Sequence, residues 1–362
     1  MDVSLNTSVP TESLLPVLTV RRWTKIILVL CVASVLGVLI CLQYGTERIG
    51  LGDILRFLLR GSEIPASTLG VDLGVILWEV RLPRLILAFL VGSSLATVGV
   101  ALQALLRNPL ADPYILGISS GAALGAALAL QFGVSWALGG FSSVHVCAFV
   151  CAAVTIVGIY RMAASDGRIP VQTLLLAGVI INAMLSALIL FITSLSDSTS
   201  AFRLFFWLMG SLATLGYAGL LALSGYVVLG LLLLFGQARH LNVLSLGEEP
   251  AHGLGLNVER VKRVIFFTSA LLTGAVVAVS GLIGFVGMIV PHVVRMLFGP
   301  DHRLVLPASA LVGGTFLAIA DTIARSLLTP SELPVGVITA LCGGPFFIYL
   351  LMSRRQRHLG ER

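Results

Sequence analysis

Charged residues are scarce in this chain of 362 residues, of which 11% are charged and only two, Lys25 and Lys262, are lysines. Water-soluble globular domains carry about 25% charged residues, so the composition excludes an ordinary soluble fold. Motifs for catalysis are scarce as well. The sequence has no G-x-x-x-x-G-K-[ST] loop, no H-E-x-x-H and no cysteine–histidine set with zinc spacing. It therefore predicts no catalytic residue and no metal site.

Cysteine is rare too, and each cysteine lies in an apolar run. This placement favours small buried hydrophobic side chains over redox or metal chemistry. The five cysteines are Cys31, Cys41, Cys147, Cys151 and Cys342.

Apolar sequence is abundant, since 57% of the residues are hydrophobic. A membrane-spanning helix needs about 20 apolar residues. Apolar runs occupy 26–42, 85–106, 114–131, 144–160, 171–195, 206–235, 264–283, 285–298, 305–325 and 335–352. The run 285–298 is too short to cross a bilayer alone, so we expect it to extend into its flanks or to form a broken segment. The pattern predicts an all-α integral membrane protein with about ten transmembrane helices.

The polar ends and the basic residues predict the topology. Residues 1–20 are expected to form a flexible cytoplasmic tail, residues 21–353 one polytopic domain, and residues 354–362 a basic cytoplasmic tail. With the N-terminus in the cytoplasm, sixteen of the 23 Lys and Arg residues lie on cytoplasmic segments and seven lie outside. This is the bias of the positive-inside rule, and it places both termini in the cytoplasm. The net charge of +6 therefore indicates membrane topology, with lipid rather than nucleic acid as the partner.

Glycine and proline spacing carries two further signals. Three residues recur at an offset of 182 positions, on segments predicted to run in opposite directions, which is typical of an inverted-topology repeat. The pairs are Gly92 and Gly274, Gly99 and Gly281, and Pro109 and Pro291. A second set, Gly117, Gly121 and Gly125, recurs every four residues and favours close helix packing.

Asp, Glu, His, Lys and Arg are missing from five of the predicted spans, 85–106, 114–131, 171–195, 264–283 and 335–352. Carriers driven by an ion gradient generally place Asp, Glu or His near the bilayer centre, so such a carrier is the weaker alternative. An intramembrane enzyme is a third class, but no paired catalytic set stands within the spans. Energy for transport is therefore expected from a separate ATPase on the cytoplasmic side.

The cytoplasmic segment 236–263 is the candidate contact for that ATPase. Ser245 and Glu248 match a capping box, and Gly255 stands where a left-handed helix end is expected. The pattern predicts a short helix over 246–254 whose Leu246, Ala251 and Leu254 supply an apolar contact. An amphipathic loop helix resting on the membrane is the alternative.

A series of motifs runs in order from about residue 26 to residue 352. It comprises Arg81-Leu-Pro-Arg84, Arg107-Asn-Pro-Leu-Ala-Asp-Pro113, Leu116-Gly-Ile-Ser-Ser-Gly-Ala122, Leu246-Gly-Glu-Glu-Pro-Ala-His-Gly-Leu-Gly255, Gly284-Phe-Val-Gly-Met-Ile-Val-Pro-His292 with Arg295, Asp301-His-Arg303, Asp321 with Arg325, and Glu332-Leu-Pro-Val-Gly336. The series resembles that of the membrane permeases of ABC importers for ferric siderophores, haem and cobalamin.

The resemblance implies a permease rather than an enzyme, with ten helices per subunit and a homodimer around a central pathway. It implies two copies of a cytoplasmic ATPase, which bind ATP and magnesium, and no cofactor in this chain. It also implies a periplasmic binding protein that delivers the cargo, and a place in the bacterial inner membrane. The ATPase-coupling helix would comprise Leu246, Gly247, Glu248, Glu249, Pro250, Ala251, His252, Gly253, Leu254 and Gly255.

The resemblance also assigns roles to arginines at the outer face. In the family, the arginines that match Arg81, Arg84 and Arg325 receive acidic residues of the binding protein. Arginines at a helix start can instead snorkel to lipid headgroups, and Arg325 has a local alternative partner in Asp321, four residues earlier.

In similar permeases the start of the fifth helix closes the pathway. This makes Gln172, Thr173 and Leu174 gate candidates, although an ordinary Ile-Pro helix start would look the same. Asn182 and Ser186 are polar residues on the same apolar span, and they are expected to face the pathway or to bond a neighbouring helix.

Overall fold

The computed structural model describes residues 18–45, 49–52, 54, 73–164, 168–212, 215–328 and 331–360. These residues are predominantly helical. A two-residue antiparallel hairpin pairs Ala137–Leu138 with Phe141–Ser142. The predicted all-α class is confirmed.

Thirteen helices are named here in chain order. They are α1 (Val20–Gln43), α2 (Leu82–Leu105), α3 (Ile118–Gln131), α4 (Ser143–Ala163), α5 (Val171–Leu195), α6 (Ser198–Leu208), α7 (Tyr217–Gly236), α8 (Ala238–Leu244), α9 (Glu248–Gly253), α10 (Val258–Ser280), α11 (Val286–Phe298), α12 (His302–Ser326) and α13 (Val335–Gly360). A π-helical turn, Ile76–Arg81, leads into α2, and a 3₁₀ turn, Pro113–Leu116, leads into α3.

Seven helical segments of the described residues are long and apolar enough to cross a membrane, judged by length and composition. They are α1, α2 with its π-helical turn, α4, α5, α7, α10 and α12. Three shorter apolar helices are Ile118–Gln131, Val286–Phe298 and Val335–Leu350. A multi-pass membrane protein is therefore confirmed, and the short run predicted at 285–298 is a short helix.

One predicted span is wrong. The apolar run 206–235 is divided between α6 and α7, because Gly210 adopts a positive φ of 76° and turns the chain against Leu282. At the C-terminal end, the backbone of residues 354–360 continues α13, and the cytoplasmic tail expected over 354–362 stays a prediction. At the other end, Thr19 caps α1, so Arg21 and Arg22 lie inside the helix, and most of the predicted tail lies outside the described residues.

Helix α2 forms the centre of the molecule. In its span, 83% of the most apolar stretch is buried inside the chain. Close approach explains this burial, since a Cβ added at Gly99 would lie 1.8 Å from the Gly287 carbonyl oxygen of α11. Gly92 packs on Gly313 of α12 in the same way. Small residues are what allow helix backbones to meet inside a membrane.

The predicted glycine face on α3 is confirmed at two of its three positions. A Cβ at Gly121 would meet Thr155, and one at Gly125 would meet the Cys147 carbonyl, so both glycines pack on α4. Gly117 packs on a different helix, since a Cβ there would lie 3.1 Å from the Gly178 carbonyl oxygen of α5, and its φ of 72° makes it the left-handed residue that precedes α3.

Two ends of the helix bundle are defined by their contacts. At the Glu248 end, the start of α1 meets the start of α12 through the bond from Trp23 Nε1 to the Arg303 carbonyl at 2.9 Å. At the Arg84 end, the end of α1 meets the start of α2, and Arg84 contacts Asp321 near the end of α12. The candidate coupling residues therefore lie at one end and the candidate docking arginines at the other.

Candidate functional site

The segment around α9 is shorter than predicted and begins differently. Ser245 ends α8, and its hydroxyl donates to the Asn242 carbonyl at 2.7 Å. The predicted capping box is therefore wrong, and Gly247, with a φ of 128°, starts α9 at Glu248. The predicted helix end is confirmed. Gly255 has a φ of 82°, and the Leu256 amide closes the turn on the Ala251 carbonyl at 3.0 Å.

Only part of the predicted apolar contact reaches the surface of α9. Leu246 and Leu254 are 66% and 68% exposed, and Glu249 and His252 are exposed beside them. Ala251 is fully buried in the core of this chain. The expectation that Ala251 offers a contact to a partner is wrong, because its small side chain anchors α9 to the bundle.

A buried lysine connects α9 to the neighbouring helix. The ammonium group of Lys262, on α10, is 3% exposed and donates to Glu248 Oε2 at 2.6 Å and Glu259 Oε1 at 3.2 Å. Glu248 also lies 3.6 Å from Arg107, at the end of α2. Two carboxylates around one ammonium satisfy a charge that would be costly to bury alone.

The same lysine reaches the start of α5. Lys262 Nζ donates to the Ile169 carbonyl at 3.3 Å, and the Ile169 amide donates to Glu259 Oε2 at 2.8 Å. Ile169 stands two residues before Val171, where α5 begins. The Lys262 cluster, comprising Glu248, Glu259, Lys262 and Ile169, therefore ties α9 to the beginning of the candidate gate helix.

The gate candidates on α5 differ in their surroundings. Gln172, Thr173 and Ser186 are exposed, whereas Leu174 is buried. Asn182 accepts a hydrogen bond from Ser120 of α3, which is the alternative of bonding a neighbouring helix.

Helix α5 presents a long apolar face outside the chain. Only 11% of its most apolar stretch is buried. Its exposed side chains include Leu176, Val179, Ile180, Met184, Leu188, Leu190 and Phe191. Such a face packs against lipid or against another protein chain.

At the Arg84 end, the three arginines contact groups of their own chain. Arg81 is 2% exposed and donates to the carbonyls of Leu42 at 2.8 Å and Gln43 at 3.3 Å, the last residues of α1. These carbonyls lack helical partners, and a cation satisfies them well. Arg81 therefore holds the end of α1 against the start of α2.

Arg84 and Arg325 share a buried acid. Arg84 donates to both oxygens of Asp321, at 2.9 and 3.0 Å, and its third contact is Glu332 at 2.8 Å. Arg325 lies 3.7 Å from the same aspartate, so the predicted local pair exists. Asp321 is fully buried, while Glu332 is about half exposed. Of these contacts, the pair between Arg84 and Glu332 lies closest to the surface.

Sequence reasoning missed the Lys262 cluster. Its signal was present, because Lys262 is one of two lysines in an arginine-rich chain and stands three residues after Glu259 at the start of a span. The described residues contain no group of three or more His, Cys, Asp or Glu side chains placed to hold a metal ion.

Comparison with known proteins gives consistent matches over most of the chain. The FecCD transport family matches residues 28–353. The cobalamin import system permease protein BtuC of Halobacterium salinarum is 45% identical over 285 residues, covering 79% of this chain and 75% of that protein. The hemin transport system permease protein HmuU of Yersinia pestis is 44% identical over 288 residues, covering 78% of this chain and 84% of that protein. The solved structure of a metal-chelate type ABC transporter in an inward-facing conformation superposes with a TM-score of 0.77 at 33% identity. The match covers 91% of this chain and 99% of that chain.

Proposed function

The chain belongs to the FecCD transport family and is the permease subunit of an ABC importer, and we propose that two copies form the pathway. A cytoplasmic ATPase would contact the Glu248 end, and a binding protein would deliver cargo at the Arg84 end. The membrane is the cytoplasmic, or inner, membrane of a bacterium. The carrier driven by an ion gradient is not favoured, because the similar proteins are permeases of ABC importers.

Ten crossings follow if the three short apolar helices span together with their flanking turns. Both α3 and α11 begin at a left-handed residue, Gly117 with a φ of 72° and Phe285 with a φ of 70°. In the sequence, α3 follows α2 and α11 follows α10. Gly92 and Gly99 lie on α2, and 182 positions later Gly274 lies on α10 and Gly281 at its C-cap. This correspondence supports the inverted repeat, with both termini at the Glu248 end in the cytoplasm.

The Lys262 cluster is the observation that carries the proposed mechanism. Leu246 and Leu254 flank α9 and offer an exposed apolar contact, and Lys262 connects that helix to Ile169 at the base of α5. ATP-driven movement of the partner subunits would displace α9. The displacement would then reach α5 through the ion pairs and hydrogen bonds of the cluster.

The exposed face of α5 supports its place beside the pathway and the second subunit. Gln172 and Thr173 are exposed at its first turn, where a gate on the cytoplasmic side would lie. Ser186 is the exposed polar candidate further along the helix, whereas Asn182 is held by Ser120. A weakly polar lining suits a cargo that must not remain bound.

For the binding protein, the geometry favours Arg84 over the other two arginines. Arg81 and Arg325 donate to backbone carbonyls of α1 and serve the fold. An acidic residue of the binding protein would replace Glu332 on Arg84, because that pair is the most exposed of the three contacts. Charged pairs of this kind orient docking and raise its rate more than they add affinity.

The cargo class is an iron(III) chelate, haem or cobalamin. The experiment is to reconstitute the chain with its ATPase in proteoliposomes and to supply each labelled cargo with the binding protein. We expect uptake of one cargo that requires ATP, and none from the chain alone. Accumulation driven by a proton or sodium gradient without the ATPase would overturn the proposal.

A further inference from the structure

A charged cavity of about 500 Å³ opens at the Glu248 end. It lies where the first turns of α1 and α12 meet the last turn of α11. Its described lining residues include three arginines from these helices, Arg22, Arg295 and Arg303, and one carboxylate, Asp301. Among these residues the basic side chains outnumber the acidic ones.

Arg303 and Arg295 differ in how their charges are satisfied. Arg303 binds Asp301 through Nε at 3.0 Å and through Nη2. Arg295 is partly buried, and its partner among the described residues is the uncharged side-chain oxygen of Gln103. A guanidinium has five N–H donors, and a partly buried cation without an anion is unfavourable. The cavity side of Arg295 thus lacks a counter-ion from the described part of the chain.

The surroundings of the cavity match the depth of lipid headgroups. Trp23, whose ring nitrogen donates to the Arg303 carbonyl at 2.9 Å, lies at the start of a span, and tryptophan is enriched at membrane interfaces. Met296 and Leu297 line the same cavity and are 68% and 67% exposed. The site thus combines cationic groups with an adjacent apolar surface.

We propose that this cavity binds the phosphate of an anionic phospholipid, with an acyl chain lying on Met296 and Leu297. Basic pockets between transmembrane helices recognise such headgroups. The apolar surface favours a lipid over free phosphate. Because the cavity lies at the Glu248 end, the lipid would belong to the cytoplasmic leaflet. This assignment rests on the proposed orientation of the permease, whereas the cavity and its charged residues do not. A bound phosphate supplies the anion that Arg295 lacks and holds the end of α11 against α1 and α12.

The test is lipid retention by the purified full-length chain, measured by native mass spectrometry. The chain is offered equal amounts of dioleoyl-phosphatidylglycerol and dioleoyl-phosphatidylcholine. We expect phosphatidylglycerol to be retained preferentially, and Arg22→Gln or Arg295→Gln to reduce its retention about fivefold or more. Arg21→Gln is the matched control, because Arg21 is adjacent and exposed and does not line the cavity.

Three outcomes would overturn the site. The wild-type chain could retain both lipids equally. Arg21→Gln could lower retention as much as Arg22→Gln, which would indicate a general effect of surface charge. Excess inorganic phosphate could displace the lipid fully, which would indicate a free-anion pocket. If Arg295→Gln does not fold, Arg22→Gln still tests the site. Lipid retention is measured without any transport assay, so failure of the lipid site can be distinguished from failure of the proposed transport function.

Discussion

Replacing Lys262 by methionine should detach α9 from the base of α5 while leaving the bundle folded. Methionine fills a similar volume but cannot donate the three hydrogen bonds of the ammonium group to Glu248, Glu259 and Ile169. Hydrogen bonds to charged groups contribute about 1.5–3 kcal/mol each when buried. Glu248 and Glu259 are 39% and 23% exposed, so water recovers part of that energy.

Lys262→Met therefore weakens the attachment of α9 by about 2–3 kcal/mol. This corresponds to roughly a 30- to 150-fold shift in the equilibrium between attached and detached α9. Hydrogen–deuterium exchange of the permease–ATPase complex should show this as faster exchange at the Leu256 amide, which closes α9. Amides of α2 should exchange as in the wild type. Cargo transported per ATP should fall, while basal ATP hydrolysis persists because Leu246 and Leu254 are unchanged.

Two variants control this experiment. Lys25→Met removes the other lysine, which is exposed on α1, and should alter neither exchange nor coupling. Lys262→Arg keeps the charge and should therefore retain part of the coupling that Lys262→Met loses. This result is expected if Lys262 acts through its charge, and it is not expected if Lys262 acts only through packing. Wild-type exchange and wild-type transport per ATP in Lys262→Met would refute the connection.

Three further changes test other parts of the structure. Leu254→Asp should abolish co-purification of the ATPase while lowering the free energy of unfolding by less than about 0.5 kcal/mol, because Leu254 is exposed. Ala251→Asp places a charge in the core and should lower the free energy of unfolding by about 3 kcal/mol or more in a thermal unfolding assay. Equal effects of the two variants on folding would contradict their different burial. Glu332→Gln should raise binding-protein affinity up to about fivefold in low salt by freeing Arg84, and an unchanged affinity would argue against docking there. Partial burial raises the pKa of Asp301, but hydrogen bonds from neighbouring side chains outweigh it and lower the pKa from 3.8 to about 2. The contribution of the Asp301 carboxylate to stability is therefore complete above pH about 4 and is lost as the pH falls towards 2. Exchange at the start of α12 should therefore be insensitive to pH between about 5 and 8 after correction for intrinsic rates, and a step within that range would contradict this assignment.

The spans could be predicted because hydropathy is a local property of the sequence. The predicted run 171–195 coincides with α5, and the predicted run 335–352 begins with α13. The run 206–235 misled the prediction because its break depends on Gly210 meeting the Leu282 backbone, a contact made by a segment more than 70 residues away. Hydropathy does not register such a contact.

The surroundings of the arginines could not be predicted for the same reason. Arg81 binds carbonyls 38 and 39 residues earlier, and Arg84 binds an acid 237 residues later. The motif alone indicates a charge at a helix start, and only the packing of α1, α2 and α12 shows that most of this charge is used inside the chain. The capping box failed because Ser245 is bonded within the preceding helix. The left-handed end at Gly255 succeeded because glycine favours that conformation locally.

The contrast between α2 and α5 indicates where movement within the permease is least costly. A shift of α2 would separate backbones that meet at Gly92 and Gly99 and would expose a helix span that is 83% buried. In α5, 11% of the most apolar stretch is buried inside its own chain, and the helix is attached at its base through Ile169. In the proposed mechanism, a displacement that begins at α9 would reach both helices, through Arg107 towards α2 and through Lys262 towards α5. The close packing of α2 would resist it, so we expect the movement at α5, next to the exposed gate candidates.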